Sequence, residues 1–430
     1  MAKVAIVGGG ITGLTSAYLL AKRGHSVTVF EKEDVWGGLA SSFKDPSWHW
    51  GLERYYHHIF ASDQDVRWLT KDLGLKEKLF FGQPKTSIFL EGKIFQFDNP
   101  KSILLFPSLS LVDKLKMGLT TIFLKVNPFW KPLEKITAHD FIRKNMGEKT
   151  LRLIWQPLLE SKFGSFSKQI PASWFWTRIK KRSFSLGYFQ GGTETLINAL
   201  VKEIKDKGGK TYLKTEIDRI KKITDDFEIS VNGKVIPDKF DKVVATVPPL
   251  VLPKIFPNLS PEDKEGLKSL KSLGSLCLVF SLKESFLTDG TYWLNVNERH
   301  FPFVAVVEHT NLIDKKNYDN KVVLYVGGYY PSGHPLFQTD QRAILQKFLP
   351  YLKRINPCFN FENSLINLWL FKDVYSQPVP FLNYSPHRPG IRTSVPNFWW
   401  ASLHHVYPED RGLNYAIWLG RQIANEIENS

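Results

Sequence analysis

Cysteine is nearly absent from this chain: two residues in 430, Cys277 and Cys358. A pair so far apart makes neither a disulfide framework nor a metal-ligand cluster, and it points to a reducing, cytoplasmic compartment. Long apolar runs are missing as well. No stretch of about 18 uninterrupted apolar residues occurs, so no membrane-spanning helix is expected. Residues 2–7 run into glycines too soon for the apolar region of a signal peptide. Repeats and low-complexity tracts are absent, as are the Gly-x-Ser-x-Gly and His-Glu-x-x-His patterns of common hydrolases and metalloproteases. Acid is in deficit, 42 Asp and Glu against 57 Lys and Arg, which leaves a net charge of +15. The excess is scattered, with no arginine-rich arm or nucleic-acid motif, so no nucleic-acid partner is expected.

What is present is apolar bulk: 13 Trp, 15 Tyr and 31 Phe in a chain that is 43% hydrophobic and 23% charged. That composition is globular, and the length suggests two or three domains. Residues 4–7 form a short, wholly apolar run, as in a strand buried on both faces of a parallel sheet. Glycines follow, then a helical pattern over 12–23 and a second strand over 27–31, which together make a β-α-β unit. Two runs at 227–231 and 234–236 around Asn232-Gly233 predict a hairpin. A buried strand is expected over 243–247, ended by Pro248-Pro249. Further strands are expected at 276–281, 303–308 and 322–327, as a second sheet, and at 398–402, before a helix starting near Gly412. Residues 63–182 read as a mostly helical insertion with a strand pair near 88–97.

Gly8-Gly9-Gly10-Ile11-Thr12-Gly13 fits G-x-G-x-x-G between a strand and a helix. There, Gly8 permits the tight turn, Gly10 lets backbone approach a pyrophosphate, and Gly13 lets helix and strand pack closely. Glu31, at the end of the second strand, is placed to accept from a ribose 2′-hydroxyl, which disfavours a 2′-phosphate. A second diglycine, Gly37-Gly38, would let backbone pass near a cofactor longer than NAD.

With Gly37-Gly38-Leu39-Ala40-Ser41-Ser42 the sequence resembles the flavin amine oxidase superfamily, which includes protoporphyrinogen oxidases and phytoene desaturases. Residues 187–192 with Leu196 and Leu200 look like its glycine pair opening a helix. Residues 214–220 look like its adenine-side strand, and Tyr407–Ala416 like its flavin-capping loop and helix. The resemblance implies an α/β fold: a Rossmann-like FAD-binding domain (1–62, 183–269 and 381–430) interleaved with a mixed α+β substrate domain (63–182 and 270–380). It implies FAD held by Gly8, Gly10, Ile11, Thr12, Gly13, Glu31, Lys32, Gly38, Leu39, Ala40, Ile217, Val247, Gly412, Leu413 and Asn414. In place of the superfamily's Ala-Gly-Asp, the last strand runs into Ala401-Ser402-Leu403-His404-His405.

Near the flavin, Glu53, His57, His58 and Arg411 are the candidate catalytic residues, the histidines as acid/base groups and Arg411 from Glu409-Asp410-Arg411, where an internal ion pair is the alternative. His404 and His405, read as consecutive strand residues on opposite faces, are not expected to hold a metal. Residues 155–159 and 162–164 suit a substrate cleft or plain core. Trp174-Phe175-Trp176 beside Arg178, Lys180, Lys181 and Arg182, and apolar runs over 103–124 interleaved with lysines, have the composition of a peripheral contact with an anionic membrane. The implied activity is hydride transfer from a hydrophobic isoprenoid- or tetrapyrrole-like molecule to FAD, at the inner face of a membrane. Two alternatives stand beside it: a flavin-dependent isomerase like the UDP-galactopyranose mutases, and a non-catalytic prenyl-binding protein. No sequence signal fixes an oligomeric state.

Overall fold

A computed structural model describes residues 1–430. Five parallel strands form the first sheet, in the order Lys210–Tyr212, Ser26–Phe30, Lys3–Val7, Lys242–Ala245, Phe398–Trp400. Alternation along Lys3–Val7 serves two cores at once. Val4 and Ile6 join a core with the helices Ile11–Lys22, Glu194–Asp206 and Leu413–Glu428, whereas Ala5 and Val7 face a second core around Phe227, Phe256 and Phe398. Burying both faces is what makes such a strand read as continuously apolar. The first and last helices lie together, with Ser16 Oγ donating to Gly420 O at 3.3 Å.

The strand expected over 243–247 stops at Ala245. Thr246 N still donates to Val7 O, but Pro248 and Pro249 bring no N–H to extend the ladder. The hairpin forms around Asn232 and Gly233, both at positive φ, within a three-stranded sheet of Ile217–Ile223, Asp226–Val231 and Lys234–Val235.

The second sheet has seven strands, in the order Leu365–Pro378, Ser272–Leu282, Val322–Pro331, Ala305–Glu308, Thr291–Val296, Lys85–Leu90, Lys93–Gln96. Its pairings are antiparallel except that Thr291–Val296 runs parallel to Lys85–Leu90. The expected pair near 88–97 is thus the sheet's outer hairpin. Along Ser272–Leu282, Leu276, Leu278 and Phe280 face one core. Cys277 and Val279 face another, against Trp48, Leu52 and Tyr188. The second face seats this sheet on the chain that leaves the nucleotide-side glycines. Earlier in the insertion, the helix Gln64–Asp72 packs Val66 and Leu69 on the parallel sheet's core and the strand Leu79–Gly82 pairs with Leu186–Phe189, whereas the part from Pro100 onward is helical around Trp174, Phe175, Phe163 and Ile142.

Candidate flavin groove and adjoining cavity

A groove of about 840 Å³ runs along the strand ends of the parallel sheet, the edge where doubly wound sheets bind ligands. Gly8, Gly10, Ile11, Thr12, Glu31, Lys32, Gly38, Leu39, Ala40, Ile217, Val247, Gly412 and Leu413 all line it. Gly13 lies beneath: a Cβ there would sit 2.1 Å from Gly8 O, while Gly8 itself turns at φ +112°. Asn414 is elsewhere, its Oδ1 accepting from Asp65 N at 2.8 Å and Val66 N at 3.2 Å, so that it caps the helix Gln64–Asp72. Glu31 is fixed by Gly9 N at 2.6 Å and Glu33 N at 2.9 Å.

These residues fit a dinucleotide. No side chain caps the helix at Gly10, so its first amides are free to face a phosphate. The Arg54 guanidinium, on the groove wall, has a buried Nε without a partner. Gly37 N donates to Gly9 O at 2.8 Å, docking the second diglycine against the first. Where the superfamily's acidic residue would stand, Ser402, Leu403 and His404 line the groove. The chain there is a short 3-10 turn, Leu403–Val406, rather than strand. The turn sends the two imidazoles to different partners, His404 Nε2 to Ser272 Oγ at 3.0 Å and His405 Nε2 to Gly390 O at 3.1 Å.

Beyond the Gly412 end lies a smaller cavity of about 170 Å³, and His57, Arg411, Gly412 and Leu413 line both spaces. His57 Nδ1 meets Tyr55 O at 2.6 Å. A carbonyl only accepts, so the proton sits on Nδ1 and Nε2 keeps its lone pair. Burial, then the Arg411 charge, holds this imidazole neutral at about 4. His58 faces only the smaller cavity, its Nδ1 buried without a partner, and burial takes it down to about 3. Arg411 donates through Nε to Gln377 Oε1 at 2.9 Å and through a terminal nitrogen to Tyr329 OH. Asp410 pairs with Lys162 at 2.5 Å, and although burial opposes ionisation the ammonium holds its carboxyl at about 2.

Glu53 stands apart from this group. Buried in neither cavity's wall, its carboxylate accepts from Thr193 N at 2.6 Å, Thr193 Oγ1 at 2.7 Å and Tyr188 OH at 2.8 Å. It pins the chain just before His57. Glu409 takes Tyr415 OH at 2.8 Å and Lys181 at 3.4 Å instead of Arg411. Leu158 and Lys162 reach the smaller cavity, whereas Leu159 and Phe163 are core. Sequence reasoning missed Tyr329 and Gln377, which strands far along the chain deliver. It placed Arg178 and Arg182 at a membrane. In the structure they line the smaller cavity, and Trp174, Phe175 and Trp176 are buried at 1%, 1% and 5% exposure. No group of His, Cys, Asp and Glu is arranged to hold a metal ion.

The family model for flavin containing amine oxidoreductases matches residues 11–427. The chain belongs to this family. It is an FAD-dependent oxidoreductase. Among curated proteins, coproporphyrinogen III oxidase of Staphylococcus aureus is 25% identical over 67% of this chain and 70% of its own length. The 15-cis-phytoene desaturase of Synechococcus elongatus is 33% identical over 23% of this chain and 21% of its own. In structure, an oxidoreductase from Methanosarcina mazei superposes with a TM-score of 0.76 at 17% identity, covering 98% of this chain and all of that one, a likeness of fold. The flavin, when bound, supplies a two-electron acceptor. Along the groove this chain sets the open helix end and Glu31 toward one end and neutral His57 with Arg411 toward the other.

Proposed function

We propose that this protein oxidises a hydrophobic small molecule, isoprenoid- or tetrapyrrole-like, by hydride transfer to FAD, and that it takes that molecule from the inner face of an anionic membrane. In this reading residues 1–62, 183–269 and 381–430 hold the cofactor, and 63–182 with 270–380 hold the substrate. His57 and His58 move or hold the proton released beside the flavin, Arg411 orients the substrate, and Glu53 positions the His57 segment from behind.

The observation that carries the reading is an exposed apolar face. The helix Leu111–Val126 turns Leu111, Val112, Leu115, Leu119, Ile122 and Val126 to solvent, each at least 60% exposed. Leu105 and Phe129 extend the patch at 70% and 73%. Contiguous exposed apolar residues of this kind mark an interaction surface rather than ordinary surface scatter. Lys101, Lys114, Lys116 and Lys131 flank it, and each lysine held at an anionic surface adds about 1 kcal/mol. No helix is long and apolar enough to cross a membrane, so the contact is peripheral. Relatives named for a porphyrinogen and for phytoene support an apolar substrate.

The test is anaerobic: purified holoenzyme is mixed with porphyrinogens and with isoprenoids in detergent, and loss of the oxidised-flavin absorbance is followed. Bleaching by one class supports the proposal and names the class. No bleaching by any apolar compound would overturn it.

A further inference from the structure

We propose that the smaller cavity is an oxyanion site, holding an acidic group of the substrate, a phosphate or a carboxylate, beside the flavin groove. This rests on the oxidoreductase reading above for the word substrate, but its geometry stands independently.

Five cationic side chains line the cavity: Lys162, Arg178, Lys181, Arg182 and Arg411. Two are already engaged, Lys162 by Asp410 at 2.5 Å and Lys181 by Glu409 at 3.4 Å. The three arginines form no ion pair with any carboxylate. Arg178 lies over the Trp174 ring at 5.7 Å, and its Nε is buried with no hydrogen-bond partner. The only carboxylates on the wall are Asp410 and Asp63, and Asp63 is occupied by Phe60 N at 2.8 Å. Of the other wall groups, burial holds Tyr56, His57, His58 and Tyr415 neutral.

Charges withdrawn from water and left unpaired are costly. Burial and the neighbouring Arg178 charge bring even the Arg182 guanidinium down to about 9. An anion offsets that cost, and guanidinium forks match the paired oxygens of phosphate or carboxylate. A second neutral polar group would not, since it brings no charge. Volume limits what enters. About 170 Å³ accommodates an acidic head and not the body of an isoprenoid or tetrapyrrole, which must extend outside. The unit bearing the arginines is joined to the apolar face: Lys125 Nζ, on the helix Leu111–Val126, donates to Arg182 O at 2.5 Å and Lys180 O at 3.3 Å. The substrate class that satisfies both features is an amphiphile with an acidic head.

The experiment titrates holoenzyme with sodium pyrophosphate and, separately, with glutarate at constant ionic strength, reading heat and the flavin absorbance. Wild type, Arg178→Gln, Arg182→Gln, the charge-preserving Arg178→Lys and the surface control Lys234→Gln, in the exposed hairpin at Asn232-Gly233, are compared. Expected is binding of at least one probe with a flavin spectral change. Affinity should fall about tenfold or more in Arg178→Gln and Arg182→Gln, partly recover in Arg178→Lys, and hold in Lys234→Gln. Pyrophosphate alone binding assigns a phosphorylated head, and glutarate alone a carboxylate. Binding of neither probe by wild type up to about 10 mM, or equal binding by the glutamine variants, overturns the proposal. Flavin content and the thermal midpoint report whether each variant has folded. If neither glutamine variant folds, the wild-type titration decides on its own. Because no turnover is involved, a failed bleaching assay leaves this result readable.

Discussion

Lys162 and Asp410 meet at 2.5 Å across 248 residues of chain. One comes from the helix Gln156–Phe163 in the insertion and the other from the loop before the last helix. Their contact therefore clamps the smaller cavity's wall to the loop that closes the flavin groove. Removing one partner strands the other charge in a largely buried place. Asp410→Asn and Lys162→Met should each cost about 2–4 kcal/mol, and the double variant less than their sum. Urea unfolding of all four proteins measures this, and strict additivity would show that the pair is not coupled.

Stability should decline as pH falls below 6.5. Burial holds His57 and His405 at about 4, and His58, His309 and His404 at about 3, against 6.5 for an ordinary imidazole. Between those values the unfolded chain binds more protons than the folded one, so acid favours unfolding throughout that window. Asp410 acts lower down: its contribution is complete above 3.8 and is lost as pH falls toward 2. Urea midpoints at about pH 7, 5.5 and 4.5 should decrease in that order, and a flat profile would contradict the burial of these rings.

Glu31→Gln should weaken FAD retention by about tenfold, the equivalent of one charge-assisted hydrogen bond. The flavin left on the protein after dialysis measures it. Unchanged retention would mean that the Glu31 carboxylate serves only Gly9 and Glu33.

Leu119→Glu with Ile122→Glu should abolish co-sedimentation with anionic vesicles while shifting stability by no more than about 0.5 kcal/mol, because both side chains are already in solvent. Persistent vesicle binding would move the membrane contact away from this helix. A large loss of stability would mean that the face packs against protein.

The nucleotide half was legible because its signal is local. Gly8, Gly10 and Gly13 with Glu31 constrain one turn and one strand end, and neighbouring sequence suffices to place them. The cavity was not, since folding collects its wall from residues 56–63, 158–162, 177–182, 293–305, 329 and 410–415, and no spacing rule links Arg178 to Tyr329. Trp174 to Arg182 misled for a different reason: aromatic residues beside basic ones describe an interfacial helix and a core helix bordering a charged cavity equally well. The helix Leu111–Val126 has the opposite ambiguity. Its buried face, Met117, Thr120 and Leu124, is no more apolar than its exposed one, so pattern alone does not say which side turns outward.

The parallel sheet pairs Lys242–Ala245 with Lys3–Val7 on one side and with Phe398–Trp400 on the other, and the groove's far end is closed by Gly412 and Leu413. On the ribosome the glycine turn at Gly8 is made long before the groove's last wall, Gly412 and Leu413. The apolar first strand can pair early with Ser26–Phe30, but its other edge waits for Lys242–Ala245, and exposed strand edges invite misassembly in the interval. Closure of the flavin groove is thus a late event in the life of each nascent chain, completed only after the helix Leu413–Glu428 has followed the two sheets into place.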